Sequence, residues 1–128
     1  MDWSAWENWS EKEFACTHCG KCEVLPELVD MLQEIRSKIG KPMFISSGYR
    51  CASHPVEVTK DKPGEHTTGF ACDVICHGSR AVSLAKLFLD YGVTRIGFHQ
   101  KGTPSHRFIH VGLADKHNNR FASAMWTY

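Results

Sequence analysis

An aspartate sits in the middle of a run that a folded chain must bury. Residues 70–76, Phe-Ala-Cys-Asp-Val-Ile-Cys, are apolar or small apart from Asp73, and such a run reads as a buried strand. A carboxylate there is costly unless it is paired or bound to a metal. Side chains alternate along a strand, so Ala71, Asp73 and Ile75 share one face while Cys72, Val74 and Cys76 share the other. His66 stands shortly before the run, and Gly69 between them lets the chain turn. Another imidazole comes much later, in Arg107-Phe108-Ile109-His110-Val111-Gly112. Two neutral imidazoles and one carboxylate form a three-ligand zinc site whose fourth position is free for water, the arrangement of a hydrolase. His66, Asp73 and His110 are therefore the candidate ligands.

The rest of the chain is read as scaffold for that trio. At 128 residues it is expected to form one domain with a proper core, and its Trp-rich residues 1–13 are taken as part of that domain. Leu25 to Ile39 carries an apolar stripe at Leu25, Leu28, Val29, Leu32, Ile35 and Ile39, with Pro26 suited to the first turn and Gly40 to the stop. Ser79 to Tyr91, ended by Gly92, reads as a second helix with Ala81, Val82, Leu84, Ala85, Phe88 and Leu89 on a broad apolar face. Met43 to Ser46 reads as a short strand, and Thr94 to His99 with Arg107 to Gly112 as a hairpin. Trp3, Trp6 and Trp9 recur every three residues and are expected to cover a core edge, with a sugar-binding platform as the sharper alternative. Ser10-Glu11-Lys12-Glu13 reads as a capped turn. The fold class is α+β, a small and mostly antiparallel sheet packed with helices.

A net charge of +1 points to neither a nucleic-acid nor a membrane partner. The first residues lack the basic start and apolar core of a signal peptide, so synthesis in the cytoplasm is expected, and separately the chain is expected to be a monomer. Without such a signal, thiols or metal ligation are favoured over disulfides for the six cysteines. A second, structural zinc on Cys16, Cys19, Cys22 and Cys51 is the lesser reading, because the second half of the usual paired Cys-x2-Cys knuckle is missing. Core packing is expected of Cys72 and Cys76.

The run His66-Thr67-Thr68-Gly69-Phe70-Ala71-Cys72-Asp73 resembles the signature of the zinc D-Ala-D-Ala carboxypeptidase and L-alanyl-D-glutamate endopeptidase family, peptidase M15. Ser47-Gly48-Tyr49-Arg50-Cys51, Phe108-Ile109-His110-Val111 and the terminal Trp126-Thr127-Tyr128 agree in order. The resemblance implies the fold shared with Hedgehog domains, zinc on His66, Asp73 and His110, and a substrate-orienting role for Arg50. A planar guanidinium also suits a carboxylate on its own chemistry. The implied activity is zinc-dependent hydrolysis of peptidoglycan stem peptides by a phage or bacterial enzyme acting on the cell wall after release. The alternative is a zinc-containing wall-binding or structural module without turnover.

The chain departs from the family at the proton-transfer step. Many relatives carry a carboxylate three residues before the last ligand, where Arg107 stands here and cannot act as a base. If the strand is regular, His106 shares a face with His110, and its ordinary pKa suits proton transfer. Glu65 and His99 are the other candidates. Gly112 replaces a frequent second-layer aspartate, with Asp115 as a possible compensation. Gly64 replaces a serine near the first ligand, and His54 is read as a loop-holding residue.

Overall fold

The computed structural model describes residues 1–128. Three helices, α1 (Glu11–Phe14), α2 (Pro26–Ile39) and α3 (Gly78–Tyr91), accompany five strands. The strands are β1 (Phe44–Ser47), β2 (Ala71–Ile75), β3 (Arg95–His99), β4 (Phe108–Gly112) and β5 (Ala124–Thr127), in the order β1-β2-β4-β3-β5. All neighbours are antiparallel except β3 and β5, which run parallel. The class is α+β, as the hydrophobic pattern implies.

Alternation divides the sheet into two unlike faces. Cys72, Val74, Ile96, Ile109 and Val111 point to one side and merge with Leu28, Leu32 and Ile35 of α2 and Leu84 and Phe88 of α3 in one buried cluster. Asp73, His110 and Gly97 lie in register across β2, β4 and β3, and Trp126 of β5 continues the row. Gly97 belongs there because the Trp126 indole occupies its Cβ position: an added Cβ would meet Trp126 Nε1 at 2.3 Å. A larger residue would lift the indole off the sheet.

Helix ends follow local chemistry. Ser10 and Glu13 form a reciprocal capping box at α1. Pro26 opens α2, and Gly40, with φ 66°, closes it in the left-handed region. Helix α3 starts at Gly78 after His77, slightly ahead of the expected Ser79 cap, and its face is narrower than the pattern suggests. Ala81, Leu84 and Phe88 are buried, whereas Val82 is 71% exposed and Leu89 44%. Residues at i, i+3 and i+7 reach the sheet, and the flanking apolar positions do not.

Trp6 and Trp9 are buried and Trp3 packs beside them against Phe14. Trp6 Nε1 donates to Asp30 at 2.9 Å, tying the N-terminal segment to α2. The tryptophans thus serve the core edge, and the sugar-platform reading fails because their faces are covered. Cys72 and Cys76 are buried thiols on the helix side, as alternation predicts. Strand β5 has no counterpart in the sequence reading, since Ala-Met-Trp-Thr offers no alternation that stands out. No helix is long and apolar enough to cross a membrane.

Candidate metal centre

Two adjacent antiparallel strands place Asp73 directly opposite His110. His66 comes from a 3-10 turn, Glu65–Thr68, which Gly69 ends at φ 81° just before β2 begins. An added Cβ at Gly69 would also strike the Glu23 carbonyl at 2.1 Å, so the turn needs glycine on both counts. His66 Nε2 lies 3.3 Å and His110 Nδ1 3.1 Å from Asp73 Oδ1. One ligand atom from each of the three buried residues falls within 4.8 Å of the others.

The second nitrogen of each imidazole settles which one faces the centre. His66 Nδ1 donates to the Gly48 carbonyl at 2.7 Å. His110 Nε2 donates to Glu65 Oε1 at 2.7 Å. With those positions protonated, His66 Nε2 and His110 Nδ1 carry the lone pairs directed at the shared space. Carbonyl and carboxylate anchors of this kind fix ring orientation and raise ligand basicity. The donor set therefore fits a divalent cation.

Glu65 is a central part of the site that the sequence reading cast in another role. It is buried and accepts from His110, from the Ala114 backbone N–H at 3.1 Å, and pairs with Arg95 Nε at 3.1 Å. Burial alone would raise its pKa, but the His110 hydrogen bond and the Arg95 charge hold it below the ordinary carboxylate range. The same opposition leaves Asp73 lowered when no metal is bound: burial works against hydrogen bonds from the His110 and His66 rings, made when the nitrogens facing it carry protons in place of lone pairs. In the metal-free state His110 answers these two carboxylates: burial disfavours its charge, yet the bonds to Asp73 and Glu65 raise its pKa.

Gly112 makes room for Glu65. A Cβ at that position would meet Glu65 Oε2 at 2.0 Å, so the carboxylate lies where an ordinary side chain would stand. The orienting acid absent from position 112 is thus supplied from position 65. Asp115 does not compensate; it accepts from Thr94 and Ser123 instead. Sequence held a hint in the pairing of an acid beside the first ligand with a glycine two residues past the last.

His106 lies elsewhere. The strand begins only at Phe108, and His106 ends an exposed 3-10 turn, Pro104–His106, so alternation from His110 does not extend to it. Proline and the turn hydrogen bonds break the register there. Arg107 donates to the Gly102 carbonyl and stays away from the centre. His99 stacks on Phe108 at 5.0 Å and beside Tyr128, outside the cavity wall. His54 holds its loop, bonding Thr17 and the Val56 N–H, as expected.

A cavity of about 440 Å³ opens over the three ligands, lined also by Arg50, Lys60, Glu65, Arg95, Trp126 and Tyr128. Arg50 donates from Nε to Ser47 at 3.0 Å and from one terminal nitrogen to Glu57 at 3.3 Å, and its other terminal nitrogen lies 3.6 Å from Asp73 Oδ2. Glu57, buried beneath it, also accepts from Lys60 and from the Gly64 N–H at 2.7 Å. An added Cβ at Gly64 would meet Glu57 Oε1 at 2.9 Å, which accounts for glycine in place of serine. Neither Glu57 nor Arg95 stands out in the sequence, because nothing local marks them.

A family model described as Peptidase M15 matches residues 6–112. A search of curated proteins gives no match. The matched span holds Arg50, Glu65 and all three candidate ligands, while β5 with Trp126 and Tyr128 lies beyond it. By that match, and with a metal-competent His-Asp-His group at the head of its cavity, the chain belongs to the Peptidase M15 family of metallopeptidases.

Proposed function

We propose that this chain is a zinc-dependent peptidase that hydrolyses the stem peptides of peptidoglycan, serving wall lysis or remodelling by a phage or bacterium. The observation that carries the reading is the His66-Asp73-His110 group beneath a cavity whose lining includes Arg50, Lys60 and Arg95. Zinc held there would polarise a scissile carbonyl and make water more acidic. Arg50, Lys60 and Arg95 favour a substrate rich in carboxylates, as stem peptides are. Arg50 commits donors to Ser47 and Glu57 yet keeps others of its five N–H groups for an incoming carboxylate. Glu65 keeps the His110 ring turned so that Nδ1 faces the centre.

No lining side chain is both basic and unpaired. Glu65 already accepts from His110 and the Ala114 N–H and is ion-paired with Arg95, and His106 is outside. The cavity lining therefore offers no dedicated base, whose presence would bring a gain of roughly 10²–10⁴-fold in rate. That feature also favours a second reading, a zinc-bearing wall-binding module with no turnover. Digestion of purified peptidoglycan with added zinc, with chelator and with His66→Ala protein separates them. Zinc-dependent release of stem-peptide fragments, identified by mass, supports the peptidase. Zinc-dependent sedimentation with the wall and no new termini supports the module, and neither result overturns both.

A further inference from the structure

A second group of potential ligands lies outside the cavity. Cys16 follows α1, and Cys19 comes after two intervening residues. The Cys16 N–H donates to the Lys21 carbonyl at 2.7 Å, and the Gly20 N–H to the Cys16 carbonyl at 2.8 Å. Gly20 adopts φ 76°, which closes the turn tightly. Such a turn presents both sulfurs on one side. Cys51 arrives from the loop after β1, its N–H donating to Cys16 Sγ at 3.3 Å. The sulfurs of Cys16, Cys19 and Cys51 all lie within 4.8 Å of one another, and none is in a disulfide. His18, at the tip of the turn, brings Nδ1 to 3.5 Å from Cys51 Sγ.

We propose that Cys16, Cys19, Cys51 and His18 hold a second, structural zinc ion that ties the N-terminal turn to the loop carrying Arg50. Three thiolates and one imidazole are a closed structural set. A tetrahedron with Zn–S of 2.3 Å places sulfurs about 3.8 Å apart, so the existing cluster needs only a small contraction. A disulfide would use two of the sulfurs and strand the third beside it. Neither Cys22, the fourth member of the sequence-based set, nor His18 belongs to the three-sulfur cluster, but His18 Nδ1 already touches Cys51 Sγ, so a turn of its side chain supplies the fourth ligand.

The position of this ion matters to the cavity. Cys51 follows Arg50 directly. Two residues back, the Tyr49 N–H donates to the Phe14 carbonyl at 2.8 Å. Gly48 lies so near the Phe14 backbone that a Cβ would come within 2.6 Å of it, and the Gly48 carbonyl anchors His66. The proposed ion therefore clamps the segment 48–51 from its far side. It does not depend on the function assigned to the His-Asp-His centre.

Metal content of the full chain purified with zinc tests the proposal. The expected result is two zinc ions in the wild type and one in Cys19→Ala, whose side chain is exposed and whose loss the fold should tolerate. Cobalt substitution gives a readout independent of activity: a sulfur-to-cobalt charge-transfer band is expected in the wild type and in His66→Ala, and is absent from Cys19→Ala. The wild-type spectrum needs no variant. A zinc content that Cys19→Ala leaves unchanged from the wild type, no such band, or a disulfide among these three cysteines in the freshly isolated protein would overturn it.

Discussion

The two faces of the sheet are built on opposite rules. On the helix side, Val74, Ile109 and Val111 fill space with hydrocarbon and are fully buried. On the cavity side, Gly97 and Gly112 leave space that Trp126 and Glu65 occupy from other elements. One face is stabilised by what its own residues bring, the other is shaped by what they omit. Stability and chemistry are thereby separated by the thickness of one strand.

The sharpest way to break that division is to compare one residue from each side. His66→Ala should abolish peptide hydrolysis and metal binding at the centre while leaving a cooperative fold. Phe88→Ala should lower unfolding free energy by about 3–5 kcal/mol and retain the metal. Metal analysis beside urea denaturation of both proteins checks the pair. If His66→Ala fails to fold, the division does not hold.

Gly112→Ala tests the space itself. A methyl group there displaces the Glu65 carboxylate from His110, and metal affinity should fall by about 10–100-fold, the range for lost orienting partners. Competition with a chelator of known affinity measures it. Arg50→Lys keeps the charge and loses the planar fork, so kcat/KM for a carboxylate-bearing peptide should fall by roughly tenfold, with metal content unchanged.

Glu65→Gln sharpens the contrast through pH. In chelator-treated protein, the lowered Glu65 pKa means its stabilising effect is present above its ordinary value and lost as pH falls through the folded one. The raised His110 pKa works the other way, with stability fully present below its ordinary value and lost as pH rises through the folded one. The gap between wild type and Glu65→Gln should therefore be widest between about pH 4.5 and 6.5, at roughly 1–3 kcal/mol. It should shrink as pH falls through the lowered folded value of Glu65 and as pH rises through the raised folded value of His110, in denaturant titrations. The smallest effect belongs to His106→Ala, which should change kcat by less than about twofold, since His106 is exposed and off the cavity wall.

The helix face was legible because burial leaves a periodic trace: Leu28, Leu32 and Ile35 announce α2 without reference to anything else. The trio of candidate ligands was legible too, as polar residues set in apolar strands. What escaped depends on pairs distant in sequence. Nothing near Gly112 says that Glu65 will fill it, and nothing near Gly97 says that an indole will cover it. The reading of His106 failed at its premise, because alternation holds only while the strand lasts, and Pro104 to His106 is a turn.

The direct pairing of Asp73 with His110 also bears on the order of events during folding. The two residues are 37 apart in the chain, and Glu65 meets His110 across 45. Closing loops of that length costs entropy that only strand pairing between β2 and β4 recovers. Pairing of β2 with β4, not closeness in the chain, brings His110 to Asp73, so an ion that arrives after the sheet has registered meets a site already made. Removing it should empty the centre and leave the backbone standing, so that repeated loading and stripping of one sample remains reversible.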